Sequence, residues 1–171
     1  MEQNRLKLYY ISDEYVNYLR KYDDKVRFNK NHTRPYIGVV YTYNGNNYFA
    51  PLASPKPKHQ KMNKSAVDIW LIDDGKLGII NFNNMLPSPI EELTEAIPTV
   101  TDEKYKKLLE NQISSINKDR NLILSKIARF HKLYNNHYLY PNIIERCCNF
   151  KLLEQKCKEY VESQINNVDT I

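Results

Sequence analysis

The dipeptide Asn44-Gly45 stands between two runs rich in β-branched and aromatic residues, Tyr36 to Tyr43 and Tyr48 to Ala53. Asn and Gly tolerate the positive φ that a two-residue hairpin turn needs at both positions, so the pattern predicts an antiparallel hairpin. Antiparallel pairing then brings residue 36 close to residues 51–54. The second run leads into Ser54-Pro55. Proline has no backbone N–H and a fixed φ, so the ladder is expected to stop there. Ser54 then marks the strand's exit, and Lys56, Lys58 and His59 occupy the loop beyond. Arg34, just ahead of the first strand, falls at the same end of the hairpin as Ser54 and Lys56. Polar groups presented on a loop by a rigid scaffold are the usual arrangement of a site.

The flanking sequence extends this hairpin into a sheet. Leu6, Leu8 and Tyr10 alternate with their neighbours as in a strand. Ser12-Asp13-Glu14 reads as a capped helix start, and Tyr15, Leu19 and Tyr22 continue a short amphipathic helix over 13–22. Val67 to Ile72 and Leu77 to Asn81 read as strands joined by a turn at Asp73-Asp74-Gly75-Lys76. Residues 90–97 fit either a strand or a helical turn. Beyond Pro98 the period changes. Asp102 caps a stretch in which Tyr105, Leu109, Ile113, Ile116, Ile123, Ile127, Phe130 and Tyr134 form an apolar stripe. Residues 117–121 divide that stretch, Asn135-Asn136 ends it, and a further helix covers Phe150 to Ser163. Residues 1–4 and 165–171 are expected to be loose. The reading is a single α+β domain over 1–171, sheet-rich across 5–97 and helical across 102–164, with a twisted antiparallel sheet forming a partial barrel and helices around it.

With 171 residues and 42% hydrophobic content, the chain has enough apolar material for a real core. Only four glycines argue against a Gly-rich nucleotide fold. Fourteen tyrosines suit half-wet surfaces and base stacking alike. A net charge of +5 is a weak pointer to an anionic partner, but its distribution says more. Lys25, Arg27, Lys30, His32 and Arg34 lie in one acid-free segment, and Lys56, Lys58, His59, Lys61 and Lys64 in another. The hairpin joins the two into one expected electropositive face, the alternative being two solvated loops. Cys147, Cys148 and Cys157 have neither a paired count nor metal-ligand spacing, so reduced thiols in the cytoplasm are expected. Met1 to Arg5 lack the apolar core of a signal peptide and no apolar run approaches membrane length, so a soluble intracellular protein is expected.

A serine, several cations and an imidazole suit a phosphodiester better than an ester or a sugar. No convergent carboxylates support a metal pair, and Ser54 lacks a nucleophile elbow. No metal or cofactor is therefore expected. Metal-free RNA cleavage asks less of the protein, because the ribose 2′-hydroxyl is the nucleophile. The protein must align it, move protons and stabilise charge on the phosphorane. Arg34 and Lys56 suit charge stabilisation, Ser54 suits a hydrogen bond to phosphate or leaving oxygen, and His59 suits proton shuttling. The bland readings are a structural serine and a solvated histidine. His131 and His137 are read as packing or surface residues, and Trp70 as core unless its face is exposed.

The hairpin and its exit, from Tyr36-Ile37-Gly38-Val39-Val40 through Tyr48-Phe49-Ala50-Pro51-Leu52-Ala53-Ser54-Pro55-Lys56, resemble the ToxN/AbiQ family. So do Tyr9-Tyr10-Ile11-Ser12 with Tyr18-Leu19 and Asp23-Asp24-Lys25-Val26, Gly78-Ile79-Ile80-Asn81 with Asn84-Met85-Leu86-Pro87, and Cys148 to Glu154. The resemblance runs in order along nearly the whole chain. It implies a Kid/MazF-like partial barrel and a metal-independent endoribonuclease toxin of a type III toxin–antitoxin or phage-abortive system. Its products would carry 2′,3′-cyclic phosphate and 5′-hydroxyl ends. It further implies inhibition by a noncoding RNA antitoxin, whose tandem repeats the toxin processes into pseudoknots, in a closed toxin–RNA hetero-oligomer. Cellular or phage RNA would be the substrate, and no membrane is involved.

Carried over residue by residue, the family's serine before Pro-Lys is Ser54 and its lysine is Lys56. Ala53 stands where threonine is frequent. Arg34 stands where lysine is frequent, and arginine clamps phosphate but does not exchange protons near neutrality. Lys30 stands near the place of a tyrosine in some members. Lys30, His32, Lys58, Lys61 and Lys64 are the expected RNA-binding residues. Two other readings stay open on the residues alone: a non-catalytic RNA-binding module on the same face, and a structural subunit whose helical half binds a protein.

Overall fold

A computed structural model describes residues 5–170. The hairpin forms as its sequence dictates. β2 (Tyr36–Tyr43) pairs with β3 (Asn46–Ala53), and the turn puts Asn44 at φ 49° and Gly45 at φ 76°. Both central residues having positive φ is what matches the twist of paired strands. Tyr36 lies opposite Pro51 and Tyr41 opposite Tyr48, with one register shift between Ile37 and Tyr41.

β3 is the centre of the sheet, and Tyr48 to Leu52 are all buried. On its far side its first half pairs with the short β6 (Leu86–Pro87), and its end pairs with β5 (Ile79–Asn81). β4 (Ile69–Leu71) pairs with β5, and β1 (Lys7–Ile11) joins β2 to β7 (Leu93–Glu95). All pairings are antiparallel, in the order β4-β5-β3-β2-β1-β7 with β6 beside β3, so the seven-stranded sheet is open at β4 and β7. Residues 90–97 contain both alternatives that the sequence left open: β7 lies between short 3-10 turns at Ile90–Glu92 and Ile97–Thr99.

The helices follow the predicted stripes. α1 (Asp13–Arg20) is capped by Ser12, whose hydroxyl accepts the Tyr15 N–H at 3.2 Å. α2 (Glu103–Lys118) is capped by Asp102, which accepts the Tyr105 N–H at 2.6 Å. Asp119 divides α2 from α3 (Arg120–Asn135), and α4 (Pro141–Ile144) is a single turn before α5 (Phe150–Val168). Asn117 locks α2 to the first strand by accepting the Leu6 N–H at 2.9 Å and donating to the Leu6 carbonyl at 3.0 Å. α3 lies over β2 through His131, whose ring centroid is 4.6 Å from Tyr41 and 4.7 Å from Tyr43. Phe150 of α5 joins Tyr48, Phe130 and Tyr134 in one aromatic cluster. Each fully buried large apolar side chain of this kind contributes about 1.5–3 kcal/mol.

The expectation of a loose C-terminus from residue 165 is corrected by α5, which continues to Val168 with its last turns exposed. The same expectation for residues 1–4 and 171 lies outside the described residues. The fold is α+β, as expected, with the helices laid on an open antiparallel sheet. Among the described residues no helix is long and apolar enough to cross a membrane.

Candidate active site

β3 ends at Ala53, and the chain leaves the sheet through Ser54 and Pro55. Lys56 is extended, and Pro57–Lys61 then forms a 3-10 turn that closes on itself. The His59 N–H donates to the Lys56 carbonyl at 2.9 Å, and the Lys56 N–H donates back to His59 Nδ1 at 3.2 Å. His59 is therefore not a solvated loop residue: it is 2% exposed. With Nδ1 accepting, the neutral ring carries its proton on Nε2. Burial, then Lys58 and Lys56, hold its pKa below the ordinary histidine value.

This exit rests on a second turn. Asp73, Asp74 and Gly75 all have positive φ, which confirms the Asp pair as turn chemistry. A Cβ at Gly75 would sit 2.5 Å from the His59 carbonyl oxygen, and one at Gly78 would sit 2.1 Å from the Ala53 carbonyl oxygen. Only glycine allows this backbone contact, so the turn acts as a backstop for the chain that carries Ser54, Lys56 and His59.

The facing loop, residues 21–35, has no sequence period, yet it is fixed. Asn29 is buried and its amide donates to the Ile11 carbonyl at 2.8 Å and to Asp13 at 2.7 Å. Its backbone carbonyl accepts the N–H groups of Thr33 and Arg34. Lys30, Asn31 and His32 pass through consecutive left-handed conformations, and the loop doubles back. Arg34 Nε donates to the Phe28 carbonyl at 2.9 Å, which orients the guanidinium.

These two segments face a cleft of about 690 Å³. Of the expected residues, Lys30, Arg34, Ser54, Lys56, Lys58 and His59 line it. His32, Lys61 and Lys64 do not. His32 instead rests against the Tyr10 ring, and Lys64 pairs with Asp74 at 2.6 Å. The cations in the cleft repel one another. Arg34, then burial, then Lys56 hold Lys30 below the usual lysine value, and burial, with Arg27 adding, does the same to Arg34.

Arg27, from the basic segment before β2, also lines it, and Asp68, Asn81, Asn83 and Arg146 join it from places for which the sequence suggested no role in a site. Asp68 is the only acid among them, and its carboxylate already holds Arg146 at 2.9 Å and the Asn83 amide at 3.1 Å. An acid inside the apolar run from Val67 to Ile72 was the available signal, since a buried carboxylate requires a partner. His131 is core and Trp70 is half-buried with the Lys126 ammonium 5.7 Å from its ring. Cys147, Cys148 and Cys157 are buried free thiols, and burial pushes Cys147 up to about 12. Among the described residues no group of three or more His, Cys, Asp or Glu is placed to hold a metal ion.

A basic cleft thus lies at the exit of the central hairpin of an antiparallel sheet that is not closed. The profile of the family described as toxin ToxN, type III toxin–antitoxin system, matches residues 7–158. The chain belongs to this family. An endoribonuclease ToxN from Bacillus thuringiensis subsp. kurstaki is 35% identical over 166 residues, covering 91% of this chain and 84% of the relative. A solved structure of AbiQ, a lactococcal anti-phage endoribonuclease of the type III class, superposes with a TM-score of 0.78 at 28% identity, over 93% of this chain and 99% of that one. A second solved structure, from work on bacterial type III toxin–antitoxin systems and selective toxin inhibition by a noncoding RNA pseudoknot, gives a TM-score of 0.77 at 32% identity, over 93% and 99% of the two chains.

Proposed function

We propose that this chain, an endoribonuclease toxin of a type III system under the control of a noncoding RNA, cleaves RNA by attack of the ribose 2′-hydroxyl on the adjacent phosphate. The O5′ bond breaks, leaving a 2′,3′-cyclic phosphate on one fragment and a 5′-hydroxyl on the other. One observation carries the reading: Arg34, Ser54, Lys56 and His59 converge on one cleft in which, among the described residues, the single acid is already paired. A divalent cation would meet ammonium and guanidinium groups there rather than ligands, which supports metal-independent chemistry.

The roles follow from the geometry. Arg34, anchored through Nε, offers its Nη groups to the non-bridging oxygens, where two parallel contacts are strongest. The Ser54 hydroxyl at the strand exit donates to the same phosphate. His59, its Nδ1 already occupied, donates from Nε2 to an oxygen of the phosphorane; it is a hydrogen-bond donor more readily than a proton shuttle. Lys30 and Lys56 remain to exchange protons with the 2′-hydroxyl and the leaving O5′. A positive cleft with these donors fixed in advance needs little reorganisation as charge develops. The same surface would receive the antitoxin pseudoknot, an RNA that the toxin itself cuts from its repeats, in a closed toxin–RNA assembly. Growth arrest or abortive phage infection follows when cellular or phage RNA takes its place.

RNA-free protein digesting a mixed-sequence RNA in EDTA, beside Ser54→Ala, tests the reading. Cuts with cyclic-phosphate ends that vanish in the variant are expected. Folded protein that binds RNA but never cuts it would replace this reading with a non-catalytic RNA-binding module.

A further inference from the structure

Two arginines lining the cleft have no part in the chemistry described above, yet the structure holds both in place through adjacent buried asparagines. Asn83 and Asn84 are 5% and 3% exposed. The Asn84 side-chain oxygen accepts from Arg27 Nε at 2.9 Å. Its amide donates to the Lys25 carbonyl at 3.0 Å and to the Arg146 carbonyl at 3.4 Å. Asn83 donates to the buried Asp68 carboxylate, and the same oxygen of Asp68 accepts from Arg146 Nη2 at 2.9 Å. The Asn83 backbone carbonyl further accepts the Cys148 N–H at 2.8 Å, which ties down the chain just after Arg146. One dipeptide thus organises a cation from the loop before β2 and a cation from the link between α4 and α5.

Both arginines keep donors to spare. Arg27 and Arg146 are exposed residues, and among the described residues neither guanidinium has a hydrogen-bond partner beyond those just given. Holding one face of a guanidinium while leaving the rest open is how a protein prepares an arginine for an oxyanion. Pure structural need does not explain the arrangement, because an apolar pair would fill the same wall without the cost of burying Asp68. Arg34 and Lys56 act on the charge of Lys30, and Arg27 acts on that of Arg34, so the second pair of cations borders the reacting group.

We propose that Arg27 and Arg146 form a second phosphate subsite, which binds the RNA phosphodiester next to the scissile one. The proposal rests on the RNA-cleaving reading for its class of ligand. A cleft of about 690 Å³ is within the usual range of ligand pockets, so a short unpaired stretch of strand fits and a helix does not. With one phosphate at Arg34 and the next at Arg27 and Arg146, the strand is fixed at two points. The second point adds binding that the ground state and the transition state share, so its loss appears in KM.

The test uses RNA-free protein carrying Ser54→Ala, which should bind without cutting, and a fluorescent single-stranded oligoribonucleotide titrated at several salt concentrations. Adding Arg146→Gln or Arg27→Gln is expected to weaken binding about tenfold and to lower the log–log salt slope by about 0.7, the share of one phosphate. Asp68→Asn keeps the Arg146 charge but releases its grip, so affinity should fall although the protein gains positive charge. Tighter binding by that variant would overturn the positioning claim. In the cutting protein, Arg146→Gln should raise KM about tenfold and change kcat less than about twofold. Unchanged affinity and slope in both arginine variants would overturn the subsite, and so would a collapse of kcat at constant KM. Arg146 is half exposed, so its variant reports even if Arg27→Gln folds poorly. If the parent cuts nothing while these variants still weaken binding, the subsite stands and the cleavage reading falls.

Discussion

The backbone N–H of Lys56 and Nδ1 of His59 meet at 3.2 Å, and that bond exists only while the imidazole is neutral. Protonation would set two N–H groups against each other at the base of the loop that carries Lys56.

Acid should therefore loosen this loop. His59 and His131 both have folded pKa values held below the ordinary value, chiefly by burial. The unfolded chain takes up protons near pH 6.5 that the folded chain refuses, so the stability is complete above that value and declines as pH falls through it. Melting temperatures measured from pH 8 to pH 5 should drop on the acid side. His59→Asn, which keeps an acceptor in the place of Nδ1 but does not titrate, should flatten the drop. An unchanged profile in that variant would remove His59 from the account.

Two glycine substitutions should differ sharply. Gly78 has φ 101° and its Cβ would meet the Ala53 carbonyl, whereas Gly45 has φ 76° and open space around it. Gly78→Ala should cost roughly 2–4 kcal/mol and reduce cleavage beyond what the stability loss explains. Gly45→Ala should cost about 1 kcal/mol, from backbone strain alone, and leave cleavage intact. Denaturant melts paired with cleavage rates distinguish the two.

Arg34→Lys keeps the charge but loses the anchor to the Phe28 carbonyl and the paired contact to phosphate. A fall of about 10- to 100-fold in kcat/KM is expected, with the melting point within a few degrees of the parent. Full activity in the lysine variant would mean that the position supplies only charge.

Asn117→Ala leaves the Leu6 N–H and carbonyl without their side-chain partner. Stability should fall by about 1–3 kcal/mol in urea. Cleavage by the folded fraction should be unchanged, because Asn117 does not line the cleft. A selective loss of activity would mean that the first strand communicates with the site.

Periodicity revealed the sheet-and-helix plan because each element has its own repeat: the hairpin at Asn44-Gly45, the apolar stripe of α2 and α3, and the caps Ser12 and Asp102. It did not reveal β6 or α4, which are too short to show a repeat. Half of the cleft was legible for a similar reason. Arg34, Ser54, Lys56 and His59 lie at one end of a single hairpin, so local pairing predicts their meeting. Arg27, Asp68, Asn83 and Arg146 meet only because the loop before β2, the start of β4 and the approach to α5 pack together. Nothing in the spacing of those residues encodes it. Lys61 and Lys64 show the converse, for neighbours in a basic run need not share a face.

The crowding of Lys30, Arg34 and Lys56 also bears on how long the chain survives. Three like charges in a half-closed space lack counter-ions, and a bound polyanion supplies them. A ligand present at a hundred times its Kd adds about 2.7 kcal/mol to the folded state. RNA that silences the toxin would thus also shelter it from unfolding and proteolysis. Loss of that RNA would release an active enzyme with a shortened lifetime, which limits the damage that one molecule can do.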